Sequence, residues 1–449
     1  MTVSERNEKT GSTLISGTVW RNWARTVEVR PTLVARPTSV AGVQRAIETA
    51  RARGITVKAV GAGHSFTAIA EAPGVQLDLT RLTGLIDVDQ ARRRVRLLAG
   101  TCLRDIPELL APYALAMENL GDIDSQSISG AISTGTHGTG ASFGGIATQV
   151  VAALVVTASG DLLRIDENQN SELLPALSLG LGALGILVEV TLQCVPQFVL
   201  QAVEQPERLD AVLESVLERA AAVDHFEFYW FPHTKTALTK SNTRLPADAH
   251  REPLTVTKAY LDDVVVANGV FRLTCNLGRI APAAIPGINR MAEKLTGNRR
   301  FTDLSTNVFI TRRTVRFKEM EYAIPAEHVV SALREINAVI QRRGLRISFP
   351  LEVRFAKEDS LWLSTASGRA TVYIAAHRFF REDHREYFAA LEEVLRSFGG
   401  RPHWGKMHTQ DAESLRQVYP HFDNFIELRD RLDPERLFAN RYLDRVLGA

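Results

Sequence analysis

Residues 121–145 constrain the fold of this chain more than any other segment of its sequence. Glycine, serine, threonine and aspartate dominate the segment, whereas β-rich sequence lies on either side of it. It is too long for an ordinary connection between two elements, and such a segment in a folded protein usually serves a function. Residues 127–140 combine small side chains with hydroxyls, so the chain could lie flat against a ligand and offer it N–H and O–H donors. Ile128 and Ile132 alternate with the small residues, which predicts partial burial.

A second glycine-rich segment, residues 61–65 (Gly-Ala-Gly-His-Ser), follows a predicted strand at residues 57–60. Because glycines lack side chains, several backbone N–H groups can approach a diphosphate closely. Phe66 stands where a Rossmann fingerprint has its third glycine, so this would be a different kind of phosphate loop. Taken alone, the segment is better explained as a strand-to-turn connection with an incidental histidine. The stretch at residues 121–145 shifts the balance towards ligand binding.

Residues 180–185 match the dinucleotide-binding pattern G-x-G-x-x-G literally. A Rossmann fingerprint follows a strand and opens a helix, because the helix N-terminus holds the pyrophosphate. Here the order is reversed: residues of helical character precede the match, and a predicted strand at residues 186–192 follows it. The sequence therefore predicts no Rossmann site at this position.

A third candidate site lies nearer the C-terminus. Glu352 and Arg354 are two residues apart in an apolar predicted strand and so share one face. Such a pair can be a structural ion pair or can bind a polar ligand together. Residues 403–406 (His-Trp-Gly-Lys) add an acid–base group, an aromatic ring and a cation. His403 and His408 have no helical H-E-x-x-H pattern or nearby carboxylate, so the sequence predicts no metal site.

The composition is that of a folded soluble protein and excludes several classes of function. The 449 residues contain 53 Lys and Arg against 51 Asp and Glu, so the chain lacks the excess of positive charge that is typical of nucleic-acid-binding proteins. The three cysteines are far apart in sequence and support neither a disulfide framework nor a zinc site. The N-terminus lacks the apolar core of a signal peptide, and no apolar run reaches the roughly 18 residues of a membrane span. The expected location is the cytoplasm.

The length predicts at least two domains, because most domains hold about 100–200 residues. We expect a flexible tail over residues 1–19 and a first domain over residues 20–196, ending where the composition changes. A second domain over residues 197–400 alternates strands and helices, which is typical of an α+β layer, although residues 236–264 look polar and irregular. Residues 401–449 form a C-terminal segment.

These glycine-rich and C-terminal motifs, in this order, resemble the aldonolactone oxidoreductases of the vanillyl-alcohol-oxidase flavoprotein superfamily. The bacterial L-gulono-1,4-lactone oxidase and dehydrogenase branch is the most similar. The resemblance runs from about Trp20 to residues 431–442. It implies an α+β protein with a two-subdomain FAD-binding domain of the PCMH type over residues 20–196. Residues 197–400 would be the α+β substrate (cap) domain, with residues 401–449 returning to the flavin site.

The resemblance implies FAD as the cofactor, with residues 61–65 on its pyrophosphate and His64 bonded covalently to the flavin 8α-methyl group. Such a bond prevents loss of the cofactor and raises the reduction potential of the flavin. The positions that the resemblance places against FAD are Val60, Gly61, Ala62, Gly63, His64, Ser65, Gly121, Asp122, Ser127, Gly130, Thr134, Gly135, Thr136, His137, Ile186 and His403.

The resemblance assigns catalytic roles to Glu352, Arg354, Lys406 and His403. Arg354 would hold positive charge near N1 and the C2 carbonyl, where reduced flavin becomes anionic. Glu352 would accept hydrogen bonds from substrate hydroxyls and fix the reacting C–H over N5. Lys406 would orient or deprotonate the oxidised hydroxyl, and His403 would lie near the flavin. The implied substrate-binding residues are Asp122, Glu352, Arg354, His377 and Lys406, although His377 is equally well explained as a core histidine.

The implied reaction oxidises L-gulono-1,4-lactone or D-arabinono-1,4-lactone to an ascorbate-type product by hydride transfer to flavin N5. Dioxygen or another redox acceptor then reoxidises the flavin. Gly121 occupies the place of an alanine in a dehydrogenase relative, and the missing methyl group favours an oxygen route and an oxidase. Asp122 replaces the serine of alditol oxidases and favours a lactone over a linear polyol. An alditol oxidase and a non-catalytic FAD-binding protein are the alternatives.

Overall fold

The computed structural model describes residues 14–255, 271–295, 297–311 and 315–449. The first subdomain consists of β1 (Ile15–Ser16), β2 (Trp20–Arg21), β3 (Glu28–Val29), β4 (Leu33–Ala35), α1 (Val40–Ala52), β5 (Val57–Val60) and β6 (Val75–Asp78). Its main sheet has the order β1-β4-β6-β5, in which β6 runs parallel to β4 and to β5. Strand β1 falls within the predicted tail over residues 1–19 and pairs with β4, while residues 1–13 lie outside the described part.

Helix α1 forms because its apolar residues recur at helical spacing. Val43, Ile47 and Ala50 lie on one buried face, which packs in the same apolar cluster as Val57 of β5. The side chain of Ser39 caps the helix by accepting a hydrogen bond from the backbone N–H of Gly42 in the first turn. The helix therefore holds β5 in place directly before residues 61–65.

The second subdomain is built on an antiparallel sheet. Its elements are β7 (Leu85–Asp89), β8 (Arg94–Leu98), α2 (Ile106–Leu110), β9 (Leu115–Ala116), α3 (Ile128–Thr134), β10 (Val150–Val156), β11 (Leu162–Ile165), α4 (Leu174–Leu177), β12 (Ile186–Gln193) and β13 (Val195–Pro196). The sheet order is β11-β10-β12-β8-β7, in which β10 and β11 form an antiparallel hairpin.

Helix α3 corrects the expectation that residues 127–140 lie flat against a ligand. Ser127 caps the helix by accepting a hydrogen bond from the N–H of Gly130, and Gly135 ends it in the left-handed region with a φ of 81°. Ile128 and Ile132 are fully buried on one helical face. A spacing of four residues fits both a strand and a helix, so the pattern alone did not separate them.

The second domain contains an eight-stranded sheet of order β17-β14-β16-β15-β19-β20-β18-β21. Its elements are β14 (Phe198–Arg208), α5 (Leu209–Glu214), α6 (Val216–Ala222), β15 (His225–Trp230), β16 (Thr236–Pro246), α7 (Phe271–Ile280), α8 (Ile285–Leu295), β17 (Arg299–Leu304), α9 (Ser305–Phe309), β18 (Phe317–Pro325), α10 (Val329–Arg342), β19 (Leu351–Ala356), β20 (Thr371–Phe379), α11 (Arg385–Ser397) and β21 (Arg401–Pro402).

Strand β16 contradicts the expectation of irregular structure over residues 236–264. It pairs with β14 along its whole length and with β15 over residues 237–242. Pairing on both sides satisfies its backbone, so polar side chains such as Thr239 and Asn242 are accommodated in a buried strand. Residues 256–264 of the same expectation lie outside the described part of the chain.

The eight-stranded sheet has one apolar face and one charged face, because its central strands alternate with a period of two. The apolar face packs with α10 and α11 in one core through residues that include Phe226, Phe228, Trp230, Met320, Tyr322, Leu351, Val353 and Phe355. The alternate positions, on the opposite face, are Glu227, Tyr229, Glu319, Glu321, Glu352, Arg354, Tyr373 and His377. We call this second set the charged face.

The C-terminal segment adds α12 (Ala412–Arg416), α13 (Phe422–Leu432) and α14 (Arg441–Leu447) and packs against the first domain. The backbone N–H of Val57 donates to the carbonyl of Leu437 over 2.9 Å. The side chain of Asn440 donates to the carbonyls of Ala68, Ile69 and Glu71. Among the described residues, no helix is both long and apolar enough to span a membrane.

Candidate active site

A cleft of about 1190 Å³, including its open mouth, is lined by both subdomains of the first domain. The predicted cofactor residues that line it are Val60, Gly61, Ala62, Gly63, His64, Ser65, Ser127, Gly130, Thr134 and Ile186. Gly121, Asp122, Thr136, His137 and His403 line an adjoining space instead, and Gly135 lines neither.

The residues of this cleft fit FAD. A Cβ added to Gly61 would lie 2.6 Å from Oγ of Ser127, so only glycine lets the loop after β5 approach α3. Ser65, Ser127, Ser129, Ser133 and Thr134 place hydroxyl groups along the cleft, and its far wall is apolar, with Leu177, Leu184 and Leu187. Hydroxyls and backbone amides suit a diphosphate, while the apolar wall suits an aromatic ring system.

The rejected Rossmann match at residues 180–185 also lines the cleft, which the sequence did not predict. The reversed element order is as expected, since α4 precedes the match and β12 follows it. Leu181 and Gly182 have φ values of 55° and 61° and form a tight turn. The turn is held from behind by Lys58, whose ammonium donates to the carbonyls of Leu181 and Gly182. In the sequence, only the glycine content of residues 180–185 indicated that they could line a ligand site.

His64 lies where the cleft meets the adjoining space. Its Nε2 atom is 2.6 Å from Oγ of Ser125, and its ring stacks with Trp23 at a centroid distance of 5.7 Å. Burial, together with the positive charges of Lys406 and Arg104, lowers the pKa of His64 to about 4. The ring is therefore neutral at physiological pH, and Nδ1 is the nitrogen that Ser125 leaves available.

The adjoining space brings together residues from all three parts of the chain. It shares His64, Ser65, Gln126 and Thr134 with the cleft, so the two spaces lie side by side. Its remaining lining includes Gly121, Asp122, Thr136, His137, Glu319, Glu321, Glu352, Arg354, His403 and Lys406. The structure thus collects the catalytic residues that the sequence predicts. His377 stands behind this lining, with Nε2 3.5 Å from Glu319 and 3.9 Å from Glu352.

Arg354 is surrounded by three carboxylates. Its Nη2 atom contacts Glu352 and lies 3.5 Å from Oδ2 of Asp122, and its Nε atom donates to Glu227 over 2.8 Å. Burial alone would lower the pKa of Arg354, but Glu352, Asp122 and Glu227 outweigh it and raise the pKa well above the usual value. The guanidinium is therefore a permanent positive charge held in one orientation.

Lys406 is paired with Glu319, and Glu321 lies 3.9 Å from its Nζ atom. Burial opposes its charge, but the two carboxylates outweigh burial and raise the pKa of Lys406 above its usual value. The side chain is therefore an ammonium that donates hydrogen bonds. Of the two roles that the resemblance implies, this charge state suits orienting a hydroxyl and is unsuited to removing its proton.

His137, Glu321 and His403 place one ligand atom each within 4.8 Å of one another, a spacing that a metal ion could use. The hydrogen bonds favour direct pairing of these side chains instead. Nδ1 of His403 accepts from the N–H of Gly405, and burial lowers the pKa of His403 to about 4, so its Nε2 carries the proton and has no lone pair for a metal. Nδ1 of His137 lies 2.8 Å from the carbonyl oxygen of Gly138, and its Nε2 lies 3.0 Å from Oε1 of Glu321, so both ring nitrogens are already paired within the protein.

The sequence reasoning missed four polar residues of the charged face: Glu227, Tyr229, Glu319 and Glu321. Each stands at an alternate position of a strand whose neighbouring positions, such as Phe228 and Met320, lie in the apolar core. The sequence could have indicated these residues through their spacing, because polar residues occupy every second position of a buried strand. A buried carboxylate needs a partner, which on a sheet can come from the neighbouring strand. Tyr373 was also missed, and its ring stacks on His137 at a centroid distance of 3.5 Å.

Proteins of known name match this chain over nearly its whole length. The sequence profile of the D-arabinono-1,4-lactone oxidase family matches residues 190–446, and that of an FAD binding domain matches residues 31–166. The L-gulono-1,4-lactone dehydrogenase of Mycobacterium tuberculosis is 42% identical over 430 residues, covering 96% of this chain and 99% of that protein. The L-gulonolactone oxidase of Bos taurus is 33% identical, covering 96% and 98% of the two chains.

A solved structure is similar in fold alone. The crystal structure of cholesterol oxidase from B. sterolicum has a TM-score of 0.82 over 97% of each chain at 17% identity. The predicted fold class, the predicted FAD cofactor and the predicted class of flavoprotein oxidoreductase are thereby confirmed. The profile match over more than half of the chain and the two full-length relatives show that the protein belongs to the D-arabinono-1,4-lactone oxidase family, within the aldonolactone oxidoreductases.

Proposed function

We propose that the protein oxidises a sugar 1,4-lactone, L-gulono-1,4-lactone or D-arabinono-1,4-lactone, to an ascorbate-type ene-diol. The observation that carries the proposal is that the FAD cleft and a space lined by residues of the charged face lie side by side and share four lining residues. FAD, when bound, supplies the acceptor for the hydride leaving the carbon that bears the 2-hydroxyl. The names of the relatives support a lactone as the substrate.

The side chains of the charged face suit a neutral, polyhydroxylated ring. Five carboxylates, Asp122, Glu227, Glu319, Glu321 and Glu352, lie in or behind the lining of this space. Carboxylates accept hydrogen bonds from hydroxyls, and together they disfavour an anionic substrate such as the ring-opened acid. Lys406 donates to the oxygen of the reacting hydroxyl and holds it in place. Glu352 accepts the hydroxyl proton, because Lys406 retains its own.

The test is an anaerobic titration of the purified protein with L-gulono-1,4-lactone, following the visible absorption of the flavin. We expect bleaching at stoichiometric lactone in the wild-type protein and none in Arg354→Ala or Glu352→Gln. A flavin that is bleached by xylitol or sorbitol but not by either lactone would replace the proposal with an alditol oxidase. A flavin that no sugar bleaches would favour a protein that binds FAD without catalysis.

We also propose that His64 bonds covalently to the flavin. The new C–N bond would replace one C–H bond of the 8α-methyl group: the proton leaves to solvent, and the two electrons reduce the flavin until dioxygen, the acceptor proposed below, takes them. A neutral imidazole is the nucleophilic form, and the bond between Ser125 and Nε2 leaves Nδ1 to react. The experiment is acid denaturation followed by gel electrophoresis, with the flavin detected by fluorescence. Wild-type protein should carry the fluorescence and His64→Ala should not. Release of all flavin from the wild-type protein would show that FAD is held without a covalent bond.

Dioxygen is the acceptor that we propose for the reduced flavin. Gly121 lines the reaction space, and a Cβ added there would lie 3.0 Å from the carbonyl oxygen of His137, so a methyl group would crowd this wall. Reoxidation by air after anaerobic reduction should be fast in the wild-type protein and slower in Gly121→Ala. Slow reoxidation in both would favour a different acceptor and a dehydrogenase.

We propose a cytoplasmic location, because Cys102, Cys194 and Cys275 form no disulfide, a pattern typical of proteins in reducing compartments. Fractionation of the native host tests it, and recovery of the protein outside the cytoplasmic fraction would contradict it.

A further inference from the structure

Strand β15 lies beside β19 on the charged face, and its polar residues stand directly opposite the predicted catalytic pair. Tyr229 is the cross-strand partner of Glu352, and Glu227 is the partner of Arg354. On the other side of β15, Lys240 of β16 is the partner of Glu227. Directly opposed residues in an antiparallel pair are close enough for their side chains to interact.

Glu227 is buried behind Arg354, outside the lining of the reaction space. Its Oε2 atom accepts from Nε of Arg354 over 2.8 Å, and its Oε1 atom is 3.5 Å from the ammonium of Lys240. The bond to Nε leaves the Nη2 end of the guanidinium directed at Glu352 and Asp122. Glu227 thus determines both the orientation of Arg354 and how much of its charge is neutralised.

Tyr229 connects the same groups through its hydroxyl. The oxygen atom is 3.1 Å from Oε1 of Glu352 and 3.2 Å from Oε1 of Glu227. The hydroxyl can donate to one carboxylate at a time, because a phenol has a single O–H. The ring of Tyr229 therefore ties the position of the Glu352 carboxylate to that of Glu227.

We propose that Glu227 and Tyr229 are positioning residues of the active site: Glu227 orients Arg354 and partly neutralises its charge, and Tyr229 orients the carboxylate of Glu352. The inference rests on the proposed function, in which Arg354 acts on the flavin and Glu352 on the lactone. It implies that the two residues control different properties. Glu227 controls the positive charge that the flavin experiences, and Tyr229 controls the alignment of the substrate.

Two measurements on the FAD-loaded protein separate these properties. Sulfite adds to oxidised flavin and places negative charge on the ring, so its affinity reports the neighbouring positive charge without any sugar. Replacing Glu227 by Gln removes one negative charge beside Arg354 and should tighten sulfite binding about tenfold, the effect of roughly 1.4 kcal/mol. Tyr229→Phe should leave sulfite affinity unchanged and slow anaerobic flavin reduction by lactone about tenfold, through misalignment.

The apolar face of the same sheet offers a matched control pair. Tyr322 donates a hydrogen bond to Glu392 there, in a buried tyrosine–glutamate contact that faces α11 instead of the cleft. Tyr322→Phe and Glu392→Gln should lower thermal stability without changing sulfite affinity. Glu227→Asp keeps the negative charge beside Arg354, so its sulfite affinity should return to the wild-type value.

Sulfite affinity in Glu227→Gln within twofold of that in Glu392→Gln would overturn the role of Glu227. Lactone reduction at the wild-type rate in Tyr229→Phe would overturn the role of Tyr229. Wild-type protein that binds sulfite but is not reduced by lactone would contradict the proposed function instead, and the sulfite comparison would still decide the role of Glu227.

Discussion

Lys58 and Lys406 are both largely withdrawn from solvent, yet their surroundings shift their pKa values in opposite directions. Burial lowers the pKa of Lys58 to about 7, with only a partial opposing effect from Asp433. Lys406 is opposed by Glu319 and Glu321, whose charges outweigh burial and raise its pKa. Residue type alone therefore does not determine the charge state of a buried lysine. The neighbouring carboxylates keep Lys406 protonated, and a protonated lysine donates hydrogen bonds.

Replacing Lys406 by Met should slow anaerobic flavin reduction by lactone about 100-fold, because the donor to the hydroxyl oxygen is lost. Lys406→Arg keeps the positive charge and should retain more activity. In the wild-type protein, the rate of flavin reduction should not rise with pH through deprotonation of Lys406, because the raised pKa keeps this side chain protonated. Stopped-flow flavin reduction across pH measures both effects, and a rate rising tenfold per pH unit that Lys406→Arg abolishes would make Lys406 the base.

At the scale of elements, the contact between the loop after β5 and the start of α3 shapes the FAD cleft. Ser127 has two tasks there, since it caps α3 and lies against Gly61. The helix is short, so most of its stability comes from the cap and from the buried side chains of Ile128 and Ile132. Any atom added to Gly61 must displace the hydroxyl that caps the helix.

Gly61→Ala and Ser127→Ala should each lower the free energy of unfolding, the second by about 1 kcal/mol for loss of the cap. In the double variant, the loss of unfolding free energy should be about 1 kcal/mol smaller than the sum of the two single losses. The reason is that removing Oγ of Ser127 makes room for the new methyl group. Chemical denaturation of all three proteins measures the difference. Gly287→Ala, where an added Cβ meets nothing within 4 Å, is the control. Strict additivity would show that the contact does not exist.

At the scale of the whole molecule, Lys58 joins three parts of the chain. Its ammonium donates to the carbonyls of Leu181 and Gly182 in the second subdomain and to that of Phe438 in the C-terminal segment. Separate parts of the chain are thereby held around one end of the FAD cleft. A buried donor with three acceptors is costly to remove, because each carbonyl would lose its partner.

Lys58→Met should lower the free energy of unfolding by about 3 kcal/mol at neutral pH. The pH dependence has a definite sign. The folded protein releases this proton at about pH 7, whereas the unfolded chain keeps it to about pH 10.4, so the contribution of Lys58 to stability rises as the pH increases between these values. Chemical denaturation at neutral and alkaline pH should show this rise in the wild-type protein and not in Lys58→Met. Equal pH dependence in both would contradict the lowered pKa.

The sequence alone determined those features that depend on local pattern. Helix α1 and its cap, the hairpin β10–β11 and strand β19 follow from periodicity, because secondary structure repeats every 3.6 or two residues. The cofactor class and the family followed from short contiguous motifs, such as residues 61–65 and 403–406, which can be recognised without the fold. Where a local pattern fits two structures, as the spacing of Ile128 and Ile132 does, the sequence could not choose, and packing selected helix α3.

Only the tertiary structure decided which residues meet. Glu319 and Glu321 meet Lys406 because residues 403–406 lie along the edge of β18. The backbone N–H of His403 donates there to the carbonyl of Glu321, and that of Met407 donates to the carbonyl of Glu319. Glu227 and Tyr229 acquire theirs from the register of β15 against β19. Register and long-range return are set by the whole core, since a shift of one residue would turn the charged face into the apolar one. The charge state of Lys406 and the part played by residues 180–185 therefore became visible only in the folded molecule.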